Sequence, residues 1–283
     1  MLENMVDILN DAKEKKYAVA HFNINNLEWT RFILEEVNNL RVPVIIGVSE
    51  SAIEYMGGYL TVANMVKNLV KYLNVTVPVS IHLDHGSSFE SCKEAIDCGF
   101  TSVMIDASKY DLEKNISITK EVVAYAKERN ISVEAEVGHV GLNNNGNIED
   151  IMYADVNECI KFCSETGVDF LAPALGSVHG PYVGDPKLNF DRMLEINEKC
   201  NIPLVLHGGS GIYDEQIKKA IDCGICKINI NTELQQAWAK GVREGLNTNS
   251  EVYDPRKIIK YGEAGIKKVI DEKIRLLNTR VYQ

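Results

Sequence analysis

Nowhere does the sequence run for about 18 apolar residues without a charge, so it offers nothing that could span a bilayer as a helix. Met1 to Tyr17 carries charges throughout and lacks the apolar centre of a signal peptide, which leads to the expectation of a cytoplasmic protein with no membrane partner. Positive charge is in deficit: Lys and Arg number 30 against 40 Asp and Glu, for a net charge of -10 and a pI near 5.2. That balance argues against a nucleic-acid footprint, while a local pocket for a small anion stays open. A disulfide framework is missing too. The seven cysteines are an odd number scattered through apolar patterns, as reduced thiols buried like small hydrophobes are. Cys223 and Cys226 in "CGIC" have no second CxxC to complete a zinc site, and Gly224 stands where a helix should end before a strand. No Pro- or Gly-rich linker marks a domain boundary, so residues 1–283 are expected to form one domain with a helical segment at about 250–283.

What is present is enough apolar matter for one large core, at 45% hydrophobic against 25% charged residues. Short apolar or β-branched runs recur along the whole chain: "YAVAHFN", "VPVIIGVS", "VPVSIHLD", "TSVMIDAS", "ISVEAEVG", "DFLAPALG", "IPLVLHGG" and "CKINI". Helix-periodic stretches such as Glu28 to Leu40 and Asn115 to Arg129 lie between them. Strand then helix, eight times over, is the pattern of a (β/α)8 TIM barrel. A doubly wound open sheet is the competing fold, but it normally shows fewer strands and a Gly-rich first turn that "AHFNINN" does not supply.

An internal repeat supports the barrel. "VPVSIHLDHGSSFESCKEAIDCG", from Val77, aligns without a gap on "IPLVLHGGSGIYDEQIKKAIDCG", from Ile202. The offset equals four strand-helix units, which places the third and seventh strands at matching positions of two half-barrels. His82 then corresponds to His207, and Asp84 to Gly209.

In such a barrel the chemistry sits where strands end and βα loops begin. Polar residues gather there: Asn23, Ser49, Asp84 with His85, Asp106, Glu134 with Glu136, His179, His207 to Ser210 and Asn229 to Thr232. Three of the six histidines, His85, His179 and His207, lie at or just beyond strand ends. Three neutral imidazoles with an open fourth position make a catalytic site for zinc or cobalt; the plainer alternative is three separately hydrogen-bonded histidines. His82 shares a face with Asp84 by strand alternation and is expected behind the ligands rather than among them. His139 receives no role from spacing. "HGGSG", at 207–211, reads as a phosphate-binding loop whose backbone N–H groups are helped by the helix that follows it.

Together "HLDHG", "GSVHGPY", "LHGGSG", "KININ" and "YDPRK" resemble the motifs of the class II, metal-dependent ketose-bisphosphate aldolases. These comprise the fructose- and tagatose-bisphosphate aldolases, and the likeness runs from "YAVAHFNINN" to the C-terminal helix. The resemblance implies a zinc ion, or another divalent metal in its place, held by His85, His179 and His207, with a monovalent cation nearby. It implies Asp84 as the general acid/base, taking a proton from the C4 hydroxyl of a phosphorylated ketose as the C3–C4 bond breaks. It places the dihydroxyacetone phosphate half on Gly180, Gly208, Gly209, Ser210, Asn229, Ile230, Asn231 and Thr232. Asn23 and Ser49 resemble residues that contact substrate or line the site. Arg256 resembles the arginine that meets the far phosphate, usually from a neighbouring subunit of a homodimer or homotetramer. Asp106 and Glu136 match positions that hold a second metal in some members.

A lysine Schiff base is the other route to such a carbanion. Strand six holds no lysine, and Lys227 is the one candidate inside a strand. The chain also departs from the family. Members commonly carry "GGxE" after strand five, where a glutamate moves a proton; here the loop reads "GHVGLNNNGN", of which Gly141 to Asn147 is expected to be a mobile flap, with Asn144 in the glutamate's place and Glu149 and Asp150 the nearest acids. A lysine common after "HGxY" is replaced by Val183, as is familiar in tagatose-type relatives. A barrel that binds sugar phosphates but turns them over poorly is the alternative of a different class.

Overall fold

The structure is a computed structural model, and it describes all residues except Met1, His139, Asn145, Gly146, 149–152, Pro181, Val183 and Gln283; the side chains of 141–144, 147, 148 and His179 are likewise outside the description. The strands are β1 Val19–Asn23, β2 Val44–Ser49, β3 Val79–Gly86, β4 Ser102–Ile105, β5 Ser132–Val137, β6 Gly141–Asn144, β7 Asn147–Ile148, β8 Phe170–Pro173, β9 Val178–His179, β10 Leu204–Leu206 and β11 Ile225–Ile230. The helices are α1 Val6–Lys15, α2 Leu27–Leu40, α3 Glu50–Tyr55, α4 Tyr59–Tyr72, α5 Phe89–Cys98, α6 Leu112–Lys127, α7 Val156–Thr166, α8 Phe190–Cys200, α9 Asp214–Asp222, α10 Thr232–Thr248, α11 Pro255–Lys260 and α12 Glu263–Leu276.

Eight parallel strands close into a barrel in the order β1-β11-β10-β8-β5-β4-β3-β2, and each of the eight runs read from the sequence supplies one of them. Closure excludes the open sheet. The repeat pair, β3 and β10, stand four strands apart around the ring and so face each other across it.

Helix starts follow local capping. Asn26 accepts a hydrogen bond from Trp29 N at 2.8 Å and Asp111 one from Lys114 N at 2.9 Å, so α2 and α6 begin slightly before their periodic patterns do. Between helices and strands lies the large outer core, which includes Phe22, Phe32, Phe100 and Phe162. A smaller cluster plugs the N-terminal mouth, where Ile8, Leu9 and Ala12 of α1 cover Val19, Ile45, Phe170 and Val205. Each large apolar side chain so buried contributes about 1.5–3 kcal/mol relative to exposure.

Above that plug the barrel interior turns polar. His21, His82, Glu134 and Lys227 are fully buried there. Room for His21 depends on Gly47 of the neighbouring strand: a Cβ at Gly47 would stand 1.6 Å from His21 Nε2. The stretch expected to be a mobile flap carries backbone pairing in its described part. Gly141–Asn144 and Asn147–Ile148 are antiparallel strands, and β6 also pairs in parallel with β9. Glu149, Asp150, Val183 and His139 lie outside the described residues. Gly224, with φ +107°, turns the chain from α9 into β11, and Cys226 is buried, as a turn rather than a metal or redox pair requires.

Candidate active site

Asp84 and His85 adjoin, and on a regular strand they would point to opposite faces. Between Leu83 and Gly86 the register of β3 on β4 shifts by one residue, and His85 adopts φ +54°. This bulge turns both side chains towards one cavity. A non-glycine residue in that backbone region costs on the order of 1–3 kcal/mol, which the surrounding sheet sustains.

The Asp84 carboxylate accepts hydrogen bonds from Asn23 Nδ2 at 2.8 Å and Asn229 Nδ2 at 3.2 Å. His21 Nε2 lies 3.8 Å from its Oδ2. Burial favours the protonated form, but His21, His85, His207 and Lys227 outweigh it and hold the Asp84 pKa well below the usual carboxylate range. Asp84 is therefore an anion with two amides fixing its direction.

His85 Nδ1 is 2.8 Å from Asp106 Oδ2, which leaves Nε2 on the side of Asp84, 4.0 Å from Oδ1. His207 Nε2 is 2.9 Å from Glu134 Oε1, and its Nδ1 is 3.6 Å from Glu136 Oε2. The two rings meet edge to face with centroids 4.7 Å apart. Burial opposes a charged His85, yet Asp106, Asp84 and Glu136 push its pKa up to about 9. Burial and then the Asp106 charge push Glu136 up to about 8. Burial keeps His207 below its ordinary value.

These acids crowd a space that a cation would neutralise, and the donor set fits one. One atom each from His85, Glu136 and His207 lie within 4.8 Å of one another, and Glu136 Oε2 is buried with no hydrogen-bond partner among the described residues. Two imidazoles and a carboxylate suit zinc and its first-row neighbours. A second compact set, His21, His82 and Asp84, is less suited, because the Lys227 ammonium already acts on both histidines. His179 closes β9, but its side chain lies outside the described residues, so its place as third imidazole remains a proposal.

A cavity of about 130 Å³ is lined by Asn23, Asp84, His85, Gly180, Gly208, Ser210, Asn229, Asn231 and Thr232, all of them site candidates from the sequence. A larger hollow of about 510 Å³ lies at the opposite mouth among Asp7, Asp11, Lys15 and Arg280. No histidine and no glycine lines that hollow, so the smaller cavity is the better candidate.

The "HGGSG" loop, expected from the sequence to bind phosphate, is anchored to a helix other than the one that follows it. Ser210 Oγ accepts from Asn231 N at 3.3 Å and Glu233 N at 3.4 Å, so "HGGSG" is tied to the start of α10 rather than to α9, the helix that follows it. Gly208 has φ +65°, and a Cβ there would lie 2.2 Å from Val178 O; the loops after β8 and β10 approach too closely for any other residue. Tyr182 clasps the same two loops, donating to Gly208 O at 3.0 Å and accepting from Val178 N at 3.2 Å.

Other candidates are engaged differently from the sequence reading. Asn229, assigned to phosphate, has its amide on Asp84. Ser49 is the register partner of Asp84 but caps α3, accepting from Ala52 N at 3.4 Å. Gly209 is buried and donates to Asn229 O at 3.0 Å, and Ile230 packs in the outer core, so its side chain cannot meet substrate. Arg256 is exposed and held by Asp254, through Nε at 3.0 Å and Nη2 at 2.8 Å, and does not line the cavity. Lys227 is fully buried with its ammonium on both oxygens of Glu134, which removes it as a Schiff-base lysine. The sequence reading gave no role to Glu134, His21 or Tyr182; the period-two pairs Glu134/Glu136 and Lys227/Asn229 are the signal that could have shown the inward face.

Comparison with known proteins gives a consistent result. The family model described as fructose-bisphosphate aldolase class-II matches residues 3–280. A fructose-bisphosphate aldolase of Geobacillus stearothermophilus is 57% identical over 275 residues, covering 97% of this chain and 96% of the relative. One from Staphylococcus epidermidis is 55% identical over 279 residues, covering 98% of each. Among solved structures, the YdjI aldolase from Escherichia coli K12 superposes with TM-score 0.86 at 35% identity, covering 99% of this chain and 98% of that one. A putative fructose-1,6-biphosphate aldolase from Coccidioides immitis does so with TM-score 0.86 at 27% identity, covering 98% and 96%.

Proposed function

Because the chain belongs to the class II fructose-bisphosphate aldolase family, we propose that it reversibly cleaves fructose 1,6-bisphosphate into dihydroxyacetone phosphate and glyceraldehyde 3-phosphate. The observation that carries this reading is the Asp84 anion, aimed by Asn23 and Asn229 into a cavity that also holds the Gly208–Ser210 loop. His85, His207 and Glu136, with His179, would hold a divalent ion, for which zinc is proposed. When bound, that ion supplies a Lewis acid for the C2 carbonyl.

The chain's own groups do the rest. Asp84 accepts the C4 hydroxyl proton as the C3–C4 bond breaks, and it returns that proton in the direction of condensation. Asn23 and Asn229 donate to both of its oxygens and so keep the carboxylate in one orientation. The C1 phosphate is assigned to Gly180, Gly208 and Ser210 with Asn231 and Thr232, at the positive end of α10. Arg256 is assigned to the far phosphate of a neighbouring copy in a homodimer or homotetramer, since within one chain it stands away from the cavity. The reaction is proposed to run in the cytoplasm.

A coupled triose-phosphate assay tests this, with fructose 1,6-bisphosphate and tagatose 1,6-bisphosphate in parallel and a chelator added to each. The expected result is faster turnover of the fructose substrate, abolished by the chelator. Preference for tagatose would change the sugar. Persistent activity in chelator, trapped by borohydride, would overturn the metal mechanism.

A further inference from the structure

Beneath the cavity, Lys227, Glu134, His82 and the His207 side chain are fully buried. Lys227 Nζ donates to Glu134 Oε1 at 3.0 Å and Oε2 at 2.8 Å, which pins the carboxylate and cancels its charge. The same Oε1 is 2.9 Å from His207 Nε2. A carboxylate can only accept, so the proton of a neutral His207 ring sits on Nε2, and its lone pair sits on Nδ1. Nδ1 is the nitrogen that faces Glu136, at 3.6 Å, within the proposed metal site.

Two further bonds fix the rest of this cluster. Ser102 donates its hydroxyl proton to Ser132 O at 3.2 Å, so it accepts from His82 Nδ1 at 2.9 Å. His82 Nε2 then carries a lone pair, 3.7 Å from Glu134 Oε2.

We propose that Glu134, held in place by Lys227, is a positioning residue that locks His207 in the Nε2–H tautomer and so presents Nδ1 as the metal-binding atom. The inference rests on the reading of His207 as a ligand. Its counterpart is a buried ion pair that only fills the barrel, which apolar residues of similar volume would replace without loss. The two accounts differ in one respect: whether an acceptor opposite His207 Nε2 matters once the charges are gone.

The test removes both charges together, so that neither variant leaves a buried ion unpaired. In Lys227→Met/Glu134→Gln the amide oxygen still accepts from His207 Nε2, while the amide N–H faces the His82 Nε2 lone pair. In Lys227→Met/Glu134→Met the acceptor is lost at similar volume; Glu134→Leu serves in this arm if the first variant does not fold. Long-range proton–nitrogen NMR on the metal-free proteins reads the His207 tautomer, and titration with cobalt reads affinity. The glutamine variant is expected to keep the Nε2–H tautomer and near wild-type cobalt affinity. The methionine variant is expected to show mixed tautomers and affinity weaker by about 10- to 100-fold. Equal tautomers and equal affinities in the two variants would overturn the proposal. Failure of the unaltered protein to bind cobalt would instead overturn the metal reading, and the tautomer comparison would still decide whether Glu134 sets the His207 tautomer.

Discussion

At Asp84 the proposed chemistry depends on one carboxylate that is buried yet charged, and the two amides on it leave only limited freedom to reorient. Asp84→Ala is expected to retain metal while kcat falls by at least about 10²-fold, the lower end of general acid/base contributions. Metal analysis of the purified variant checks this, and a matching loss of zinc would make Asp84 a ligand instead. His82 makes a prediction about pH. Burial, reinforced by Lys227, pushes its pKa down to about 3, against about 6.5 in the unfolded chain. Between those values the unfolded chain binds a proton that the folded chain does not. This contribution to stability is therefore complete above about pH 6.5 and is lost progressively towards pH 3. Urea midpoints at pH 7 and pH 5 should fall further in the wild type than in His82→Gln; equal losses would assign the acid sensitivity to other groups.

Strands and loops place these residues within tight limits. β1 and β2 share the space that Gly47 leaves for the His21 ring, so Gly47→Ala should destabilise by about 1–3 kcal/mol or more through overpacking. Adding His21→Ala should recover much of that loss in thermal melts. Full additivity of the two changes would mean that the rings and strands relax independently. Where the loops after β8 and β10 meet, Gly208→Ala would drive a Cβ against Val178 O. The expected result is a raised KM for the bisphosphate, together with weaker binding of inorganic phosphate as a competitive inhibitor. Unchanged phosphate inhibition would remove this loop from the phosphate site.

At the scale of the whole molecule the question is whether one chain is enough. Arg256 is exposed and held by Asp254, and it lines no part of the cavity that holds Asp84. If a neighbouring copy supplies it, subunits carrying Arg256→Ala and subunits carrying Asp84→Ala, each poorly active alone, should recover activity when unfolded and refolded together. A mixture no more active than the sum of its parts would mean that Arg256 serves its own chain or none.

Sequence alone determined the eight-stranded barrel, because period and spacing are local properties: each apolar run and each polar helix is written in consecutive residues. The repeat from Val77 and Ile202 set two strands opposite each other, and strand ends then named every residue that lines the cavity except Gly180, which the family resemblance supplied. What the tertiary structure decided involves contacts between distant strands. The bulge that turns Asp84 and His85 the same way arises from the register of β3 on β4, and no local pattern encodes it. Ser210 reaches α10 rather than α9 because parallel strands bring the ends of β10 and β11 side by side. Asn229 meets Asp84, and Glu134 meets both Lys227 and His207, across the barrel interior. A closed barrel forces inward side chains from far-apart strands into shared layers, and in this chain the layers above the N-terminal plug hold charge instead of hydrocarbon.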